Sequence, residues 1–204
     1  VVFFATPHGV AMAQARELVD AGVKIVDLAA DFRLKDVAEF ERWYKLPHSC
    51  PDLLAESVYG LPEMNRAAIR KARIVGNPGC YPTGAIALLR PLVEAGLIPA
   101  DFPVTVNAVS GYSGGGTSMI QTYENGTARV FELYGLGLEH KHLPELQLYS
   151  LLTRRPIFVP SVGGLSHNVR EHTKPEHLQA GAAVLLHAAL RLARECGAFD
   201  VPMS

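Results

Sequence analysis

Three short apolar runs, each stopped by a turn and separated by stretches of helical character, narrow what this chain can fold into. Val1 to Ala5 (VVFFA) stops at Thr6-Pro7-His8-Gly9, and a helix-like stretch from Val10 to Ala21 follows, closed by Gly22. Lys24 to Ala29 (KIVDLA) is a second β-branched run, so two strands flank a helix in the manner of a parallel βαβ unit. Arg73 to Gly76 (RIVG) is a third run and enters the turn Asn77-Pro78-Gly79; behind it Pro82 to Ala95 is helical in periodicity, with a kink expected at Pro91. Phe102 to Val109 (FPVTVNAV) is a fourth strand and runs into the glycine cluster Ser110 to Gly116. The pattern predicts an α/β fold with a parallel sheet. Near the end, Thr173-Lys174-Pro175-Glu176 has the spacing of a capping box. Leu178, Ala182, Leu185, Leu186, Ala189, Leu192 and Ala193 then recur at helical spacing up to Gly197, which predicts a C-terminal amphipathic helix.

Charge and composition exclude several function classes. The 204 residues are 49% apolar, enough for a sizeable core, and 19 Lys and Arg against 20 Asp and Glu leave no basic field for nucleic acid. The opening apolar run is too short to span a bilayer, so neither nucleic acid nor membrane is expected as a partner, and a small-molecule substrate is. Cys50, Cys80 and Cys196 are an odd count without a C-x-x-C pair, which argues against a disulfide framework or zinc ribbon and for a reducing, cytoplasmic setting. The chain begins with Val in what reads as mid-strand, so a fragment is expected.

Cys80 has the placement of a reactive thiol. It follows a strand and a tight turn and precedes Pro82, a residue that favours the first turn of a helix. Unpaired N–H groups and the positive end of the helix dipole stabilise a thiolate there. Most free cysteines are small buried core residues instead, and Cys50 and Cys196 are read that way.

Six motifs in order carry a resemblance: Val2 to Gly9 (VFFATPHG), Asp27 to Leu34 (DLAADFRL), Tyr59 to Glu63 (YGLPE), Asn77 to Thr83 (NPGCYPT), Ser110 to Gly116 (SGYSGGG) and His140 to Glu145 (HKHLPE). From Val1 to about Gly163 the chain resembles N-acetyl-gamma-glutamyl-phosphate reductase. That family reduces an acyl phosphate with NADPH in arginine biosynthesis, giving N-acetylglutamate semialdehyde and phosphate. The resemblance implies Cys80 as nucleophile and His140 as acid/base, with His142 and Glu145 as neighbours that position the substrate or orient the imidazole; Arg33, at a strand end, is a further candidate for the substrate. It implies NADPH/NADP as cofactor, a homo-oligomer in the complete enzyme, and a partial Rossmann-type parallel sheet followed by part of a semialdehyde-dehydrogenase-like α+β catalytic domain. The expected boundaries are 1–79, 80–163 and a helical tail, 164–204.

Thr6, Pro7 and His8 stand at a strand's carboxyl end, where open α/β sheets bind ligands, although a plain strand-to-helix turn reads the same. Ser110, Gly111, Ser113 and Gly114 suit a loop lying against a phosphate or nicotinamide, as they would a glycine-rich hairpin. Arg33 could grip a carboxylate or phosphate with its fork, or be solvated; Trp43 and Tyr44 read as core. No metal is expected, because His140 and His142 have no third ligand at suitable spacing.

The dinucleotide fingerprint G-x-G-x-x-G is absent, which leaves cofactor binding by this chain open. From Gly164 the sequence is similar to the C-terminal end of the allantoate amidohydrolase and N-carbamoyl-amino-acid hydrolase family, where the histidine matching His167 binds metal. An amidohydrolase remnant and a non-catalytic fusion fragment are therefore the alternatives to a reductase.

Overall fold

The carboxyl ends of three parallel strands, the start of one helix and a buried carboxylate define the part of this molecule that matters for function. The computed structural model describes residues 1–129, 132–135 and 137–162. In chain order the elements are β1 (Val2–Phe4), α1 (Val10–Asp20), β2 (Ile25–Asp27), α2 (Val37–Tyr44), α3 (Leu53–Glu56), β3 (Val58–Tyr59), α4 (Pro62–Lys71), β4 (Ile74–Gly76) and α5 (Cys80–Glu94). Then follow β5 (Thr105–Ser110), a 3-10 turn (Tyr112–Gly115), α6 (Thr117–Glu124), β6 (Glu132–Leu133), α7 (Leu143–Tyr149) and β7 (Ile157–Val162).

The first four strands form a parallel sheet in the order β1-β2-β4-β3. The second sheet has the order β5-β7-β6, with β5 parallel and β6 antiparallel to β7. The four expected strands are present within a few residues of the predicted bounds. The helix predicted from Pro82 begins earlier, at Cys80, and runs through Pro91 to Glu94. The expected C-terminal amphipathic helix, His167, Cys196 and the tail 164–204 lie outside the described residues.

One apolar cluster packs Ala11, Met12, Ala15 and Val19 of α1 on Phe4, Ile25 and Ile74 of the sheet, with Phe32, Phe40, Leu53, Leu54 and Cys50 around them. A second ties the sheets together: Tyr59 and Leu61 meet Ala85 and Ile86 of α5, Leu143 and Leu146 of α7, and Phe158 of β7. Hydrogen bonds draw the strand-end loops together as well. Leu28 N donates to Phe4 O at 3.0 Å and Asn77 N to Asp27 O at 2.8 Å. Gly76 permits a close approach of two loops, since a Cβ there would collide with the carbonyl oxygen of Phe32.

Candidate active site

Cys80 is the first residue of α5, and Gly79, in extended conformation, caps the helix. The Cys80 side chain is exposed while Cys50 is buried. Cys50 Sγ donates to the carbonyl of Met12, and burial pushes its thiol up to about 11. The two described thiols thus differ in access to solvent.

Behind Cys80 the packing is tight around Gly79. A Cβ on that glycine would sit 2.8 Å from His142 Nε2 and 3.0 Å from Glu145 Oε2. Both atoms belong to buried side chains with little room to move. Gly79→Ala should therefore cost ~1–3 kcal/mol by overpacking, although its backbone angles suit alanine. Gly84→Ala, with nothing near its Cβ inside the same helix, should instead gain up to ~1 kcal/mol. Chemical denaturation of both variants measures the difference.

Glu145 is 1% exposed and forms the hub of this wall. Its Oε1 accepts from Gly79 N at 2.6 Å and from Tyr59 Oη at 2.6 Å, and Arg33 Nη1 stands 3.7 Å from its Oε2. Burial raises the Glu145 carboxyl above the usual range, opposed by Arg33 and the two hydrogen bonds. Arg33 also donates from Nε to Asn77 O at 2.6 Å and from Nη2 to Leu28 O at 3.2 Å. Arg33 and Glu145, expected around the substrate, are buried and tied to internal partners, although Glu145 Oε2 accepts no hydrogen bond and has only Arg33 Nη1 near it, at 3.7 Å. They hold the strand-end loops and Gly79 in register. The sequence reading missed Tyr59 as their third member.

In front of this wall lie the two histidines. His142 caps α7 and is buried; its N–H donates to His140 Nδ1 at 3.2 Å, and the rings are 4.7 Å apart. Phe158 lies 4.9 Å from the His140 ring, and Tyr81, the neighbour of Cys80, lies 6.4 Å from His140 and 6.0 Å from His142. The Tyr81 hydroxyl meets that of Tyr134 at 2.7 Å.

Burial, helped by Lys141, pushes His140 down to about 4; burial, then His140, Arg33, Lys141 and His8, pushes His142 down to about 2. Both rings are neutral at pH 7. An Nδ1 that accepts the His142 N–H leaves the ring proton of His140 on Nε2, where it is a donor. In NMR titrations neither ring's C–H resonances should move appreciably between pH 8 and 5.5, and His140 should reach its midpoint only at about pH 4. A midpoint near 6.5 would show instead that the rings stay solvated.

His8 reaches the same place from β1's end: its Nε2 is 3.4 Å from Lys141 Nζ. Lys141, which the sequence reading passed over, is lowered by burial and by Arg33 and raised by Cys80, so its charge and the thiol act on each other. Its signal in the sequence was a lysine set between two histidines.

The N–H groups at the start of α1 are already taken. Gly9, with φ of 94°, donates to both Asp31 carboxylate oxygens at 3.0 Å, and Met12 N donates to Oδ2 at 3.1 Å. That helix start therefore does not fit a dinucleotide's phosphates, because a carboxylate stands where they would. Beside it Thr6 Oγ1 is buried without a hydrogen-bond partner and Pro7 and His8 are exposed, an edge that fits the polar, non-phosphate part of such a cofactor. Ser110 shares the β5 face of Val106 and Ala108, which pack on the second cluster, while Gly111, Ser113 and Gly114 belong to the turn beyond it. The second sheet, not the Gly79 wall, positions those four. Among the described residues no group of three or more metal-binding side chains gathers, and no helix is long and apolar enough to cross a membrane.

Comparison with known proteins agrees with this layout. A family model described as "Semialdehyde dehydrogenase, NAD binding domain" matches residues 1–72. A second, "Semialdehyde dehydrogenase, dimerisation domain", matches residues 80–173, ten residues beyond Gly163. The chain is 54% identical to the N-acetyl-gamma-glutamyl-phosphate reductase of Janthinobacterium sp. (strain Marseille), over 81% of this chain and 50% of that protein. It is 49% identical to that of Bordetella pertussis, over 86% of this chain and 52% of that protein. The chain thus spans about half the length of the curated relatives it matches. Among solved structures, aspartate semialdehyde dehydrogenase II from Vibrio cholerae has the same fold, with a TM-score of 0.51 at 16% identity over 80% of this chain and 51% of that one. The chain belongs to the semialdehyde dehydrogenase family, as a partial counterpart of N-acetyl-gamma-glutamyl-phosphate reductase.

Proposed function

We propose that this chain carries the acyl-transfer centre of an N-acetyl-gamma-glutamyl-phosphate reductase, acting in arginine biosynthesis with NADPH. The observation that carries the reading is an exposed thiol at the start of α5, set against the buried Glu145–Tyr59–Gly79 wall with neutral His140 nearby. The Cys80 thiolate attacks the carbonyl carbon of the acyl phosphate, phosphate leaves, and a thioester to Sγ remains. His140 donates a hydrogen bond from Nε2 to the acyl oxygen as charge develops there and keeps its proton; the charge that builds on that oxygen after hydride addition expels Cys80 as a thiolate when the aldehyde forms. His142, wedged between Gly79 and His140, fixes the His140 ring through its N–H. Arg33, Glu145 and Tyr59 are positioning residues. NADPH, when bound, supplies the hydride that turns the thioester into an aldehyde. Thr6, Pro7 and His8, with Ser110, Gly111, Ser113 and Gly114, would face it. The match of residues 80–173 to a dimerisation domain supports a homo-oligomer.

The test is NADP reduction by N-acetylglutamate semialdehyde. Turnover that requires inorganic phosphate supports the reading; turnover indifferent to phosphate, or none, contradicts it.

A further inference from the structure

A pocket of about 590 Å³ lies where the start of α2 meets α7 and the segment leading into β7, and neither Cys80 nor either active-site histidine lines it. Its wall combines leucines, among them the exposed Leu148 and Leu151, with Lys35, Asp36, Glu39 and Arg155, two charges of each sign. Arg155 is half-buried, its Nε is buried without a hydrogen-bond partner, and its guanidinium carbon lies 5.2 Å from the centre of the Trp43 ring. Among the described residues it forms no ion pair. A guanidinium that has given up water without gaining an acceptor is costly to keep, and a carboxylate completes its fork with two parallel bonds. Lys35 differs, because its ammonium already donates to the carbonyl oxygens of Leu54, Ala55 and Ser57. Leu151 is the second irregularity. It has a φ of 62° just past the end of α7, where Leu151 N donates to Leu148 O at 3.3 Å and Leu152 N to Gln147 O at 3.1 Å. Helices place glycine at this position, so a leucine there puts a side chain on the pocket wall at a conformational cost.

The negative charges stand across the same aromatic ring from Arg155. Glu39 Oε2 accepts from Trp43 Nε1 at 3.2 Å, and the Asp36 side chain caps α2 by accepting from Glu39 N at 3.1 Å. Neither carboxylate forms an ion pair among the described residues. Trp43 therefore holds an unpaired guanidinium on its face and an unpaired carboxylate at its Nε1 edge, and a simple anion would answer only one of them. We propose that this pocket binds a free α-amino acid with an aliphatic side chain, its carboxylate on Arg155, its ammonium on Glu39 and Asp36, and its side chain against Leu148 and Leu151. The volume is ample for such a ligand. The site goes beyond the acyl-transfer function and does not rest on it.

The experiment is a titration of the chain with L-leucine, read by the emission of Trp43, the single tryptophan, and independently by saturation-transfer NMR of the ligand. A saturable change in both is expected. L-leucinamide and N-acetyl-L-leucine, each lacking one of the two charges, should bind the unaltered chain at least ~10-fold more weakly. Arg155→Ala should weaken L-leucine binding ~10-fold or more, and Glu39→Gln by a smaller factor. Leu151→Gly suits the left-handed backbone, so it should fold, and it should weaken binding several-fold by removing apolar contact. No saturable binding of L-leucine by the unaltered chain overturns the inference, as does L-leucinamide binding as tightly as L-leucine, or unchanged affinity in Arg155→Ala or Leu151→Gly. None of these readings involves Cys80, so the proposed function stands or falls separately.

Discussion

Glu145→Ala should destabilise the protein by about 3–5 kcal/mol, the usual cost of removing one member of a buried charged pair. The carboxylate lies 1% exposed, and its loss would strand the Tyr59 hydroxyl and the Gly79 N–H while leaving the Arg33 guanidinium buried without its carboxylate. Arg33 keeps its bonds to Asn77 and Leu28, which limits the damage. Glu145→Gln retains an oxygen that can accept from both Gly79 and Tyr59, so it should lose less than half as much. Denaturant unfolding of the two variants measures this. Equal stability of Glu145→Ala and the unaltered chain would mean that the wall behind Cys80 contributes nothing to the fold.

Replacing Cys80 by serine should lower acyl transfer by at least roughly 10⁴-fold while leaving the unfolding midpoint in place, because an alcohol at neutral pH is a far weaker nucleophile than a thiolate. Exposure of Cys80 is the reason stability should not move. Cys50→Ser should do the reverse. Its thiol is buried against the Met12 carbonyl in the first apolar cluster, so a change there touches packing and not chemistry. The rate of thioester formation, read by quenching after mixing with an acyl phosphate, separates the two.

The parts legible in the sequence were those with local physical causes. Strands inside a parallel sheet are buried on both faces and show as continuous apolar runs, which is why Ile25–Asp27 and Ile74–Gly76 stood out; Val2–Phe4, at the sheet's edge, is as apolar although Phe3 is exposed. The turn before Cys80 announced itself through Pro78, Gly79 and Pro82. Some elements that escaped notice are short ones held by tertiary contacts, such as β3 with two residues and α7 with seven, but α4 with ten and β7 with six escaped as well. Propensity says little about the shortest of these. The internal partners of Arg33 and Glu145 escaped for another reason: they lie far along the chain, and Tyr59 is separated from Glu145 by 86 residues. A hint existed, because Glu145 lies in an otherwise apolar run, Leu143-Pro144-Glu145-Leu146, whose members are all buried. Asp31 likewise acts on Gly9 across 22 residues, filling a helix start that strand-end position alone made look open.

The central claim is that Cys80, and not Cys50, is the thiol that takes an acyl group. Incubation of the chain with acetyl phosphate, quenching in acid and peptide mapping by mass spectrometry tests it most directly. An acetyl group on the Cys80 peptide, with Cys50 unmodified, is the predicted result; an unmodified Cys80, or equal labelling of Cys50, would contradict the account.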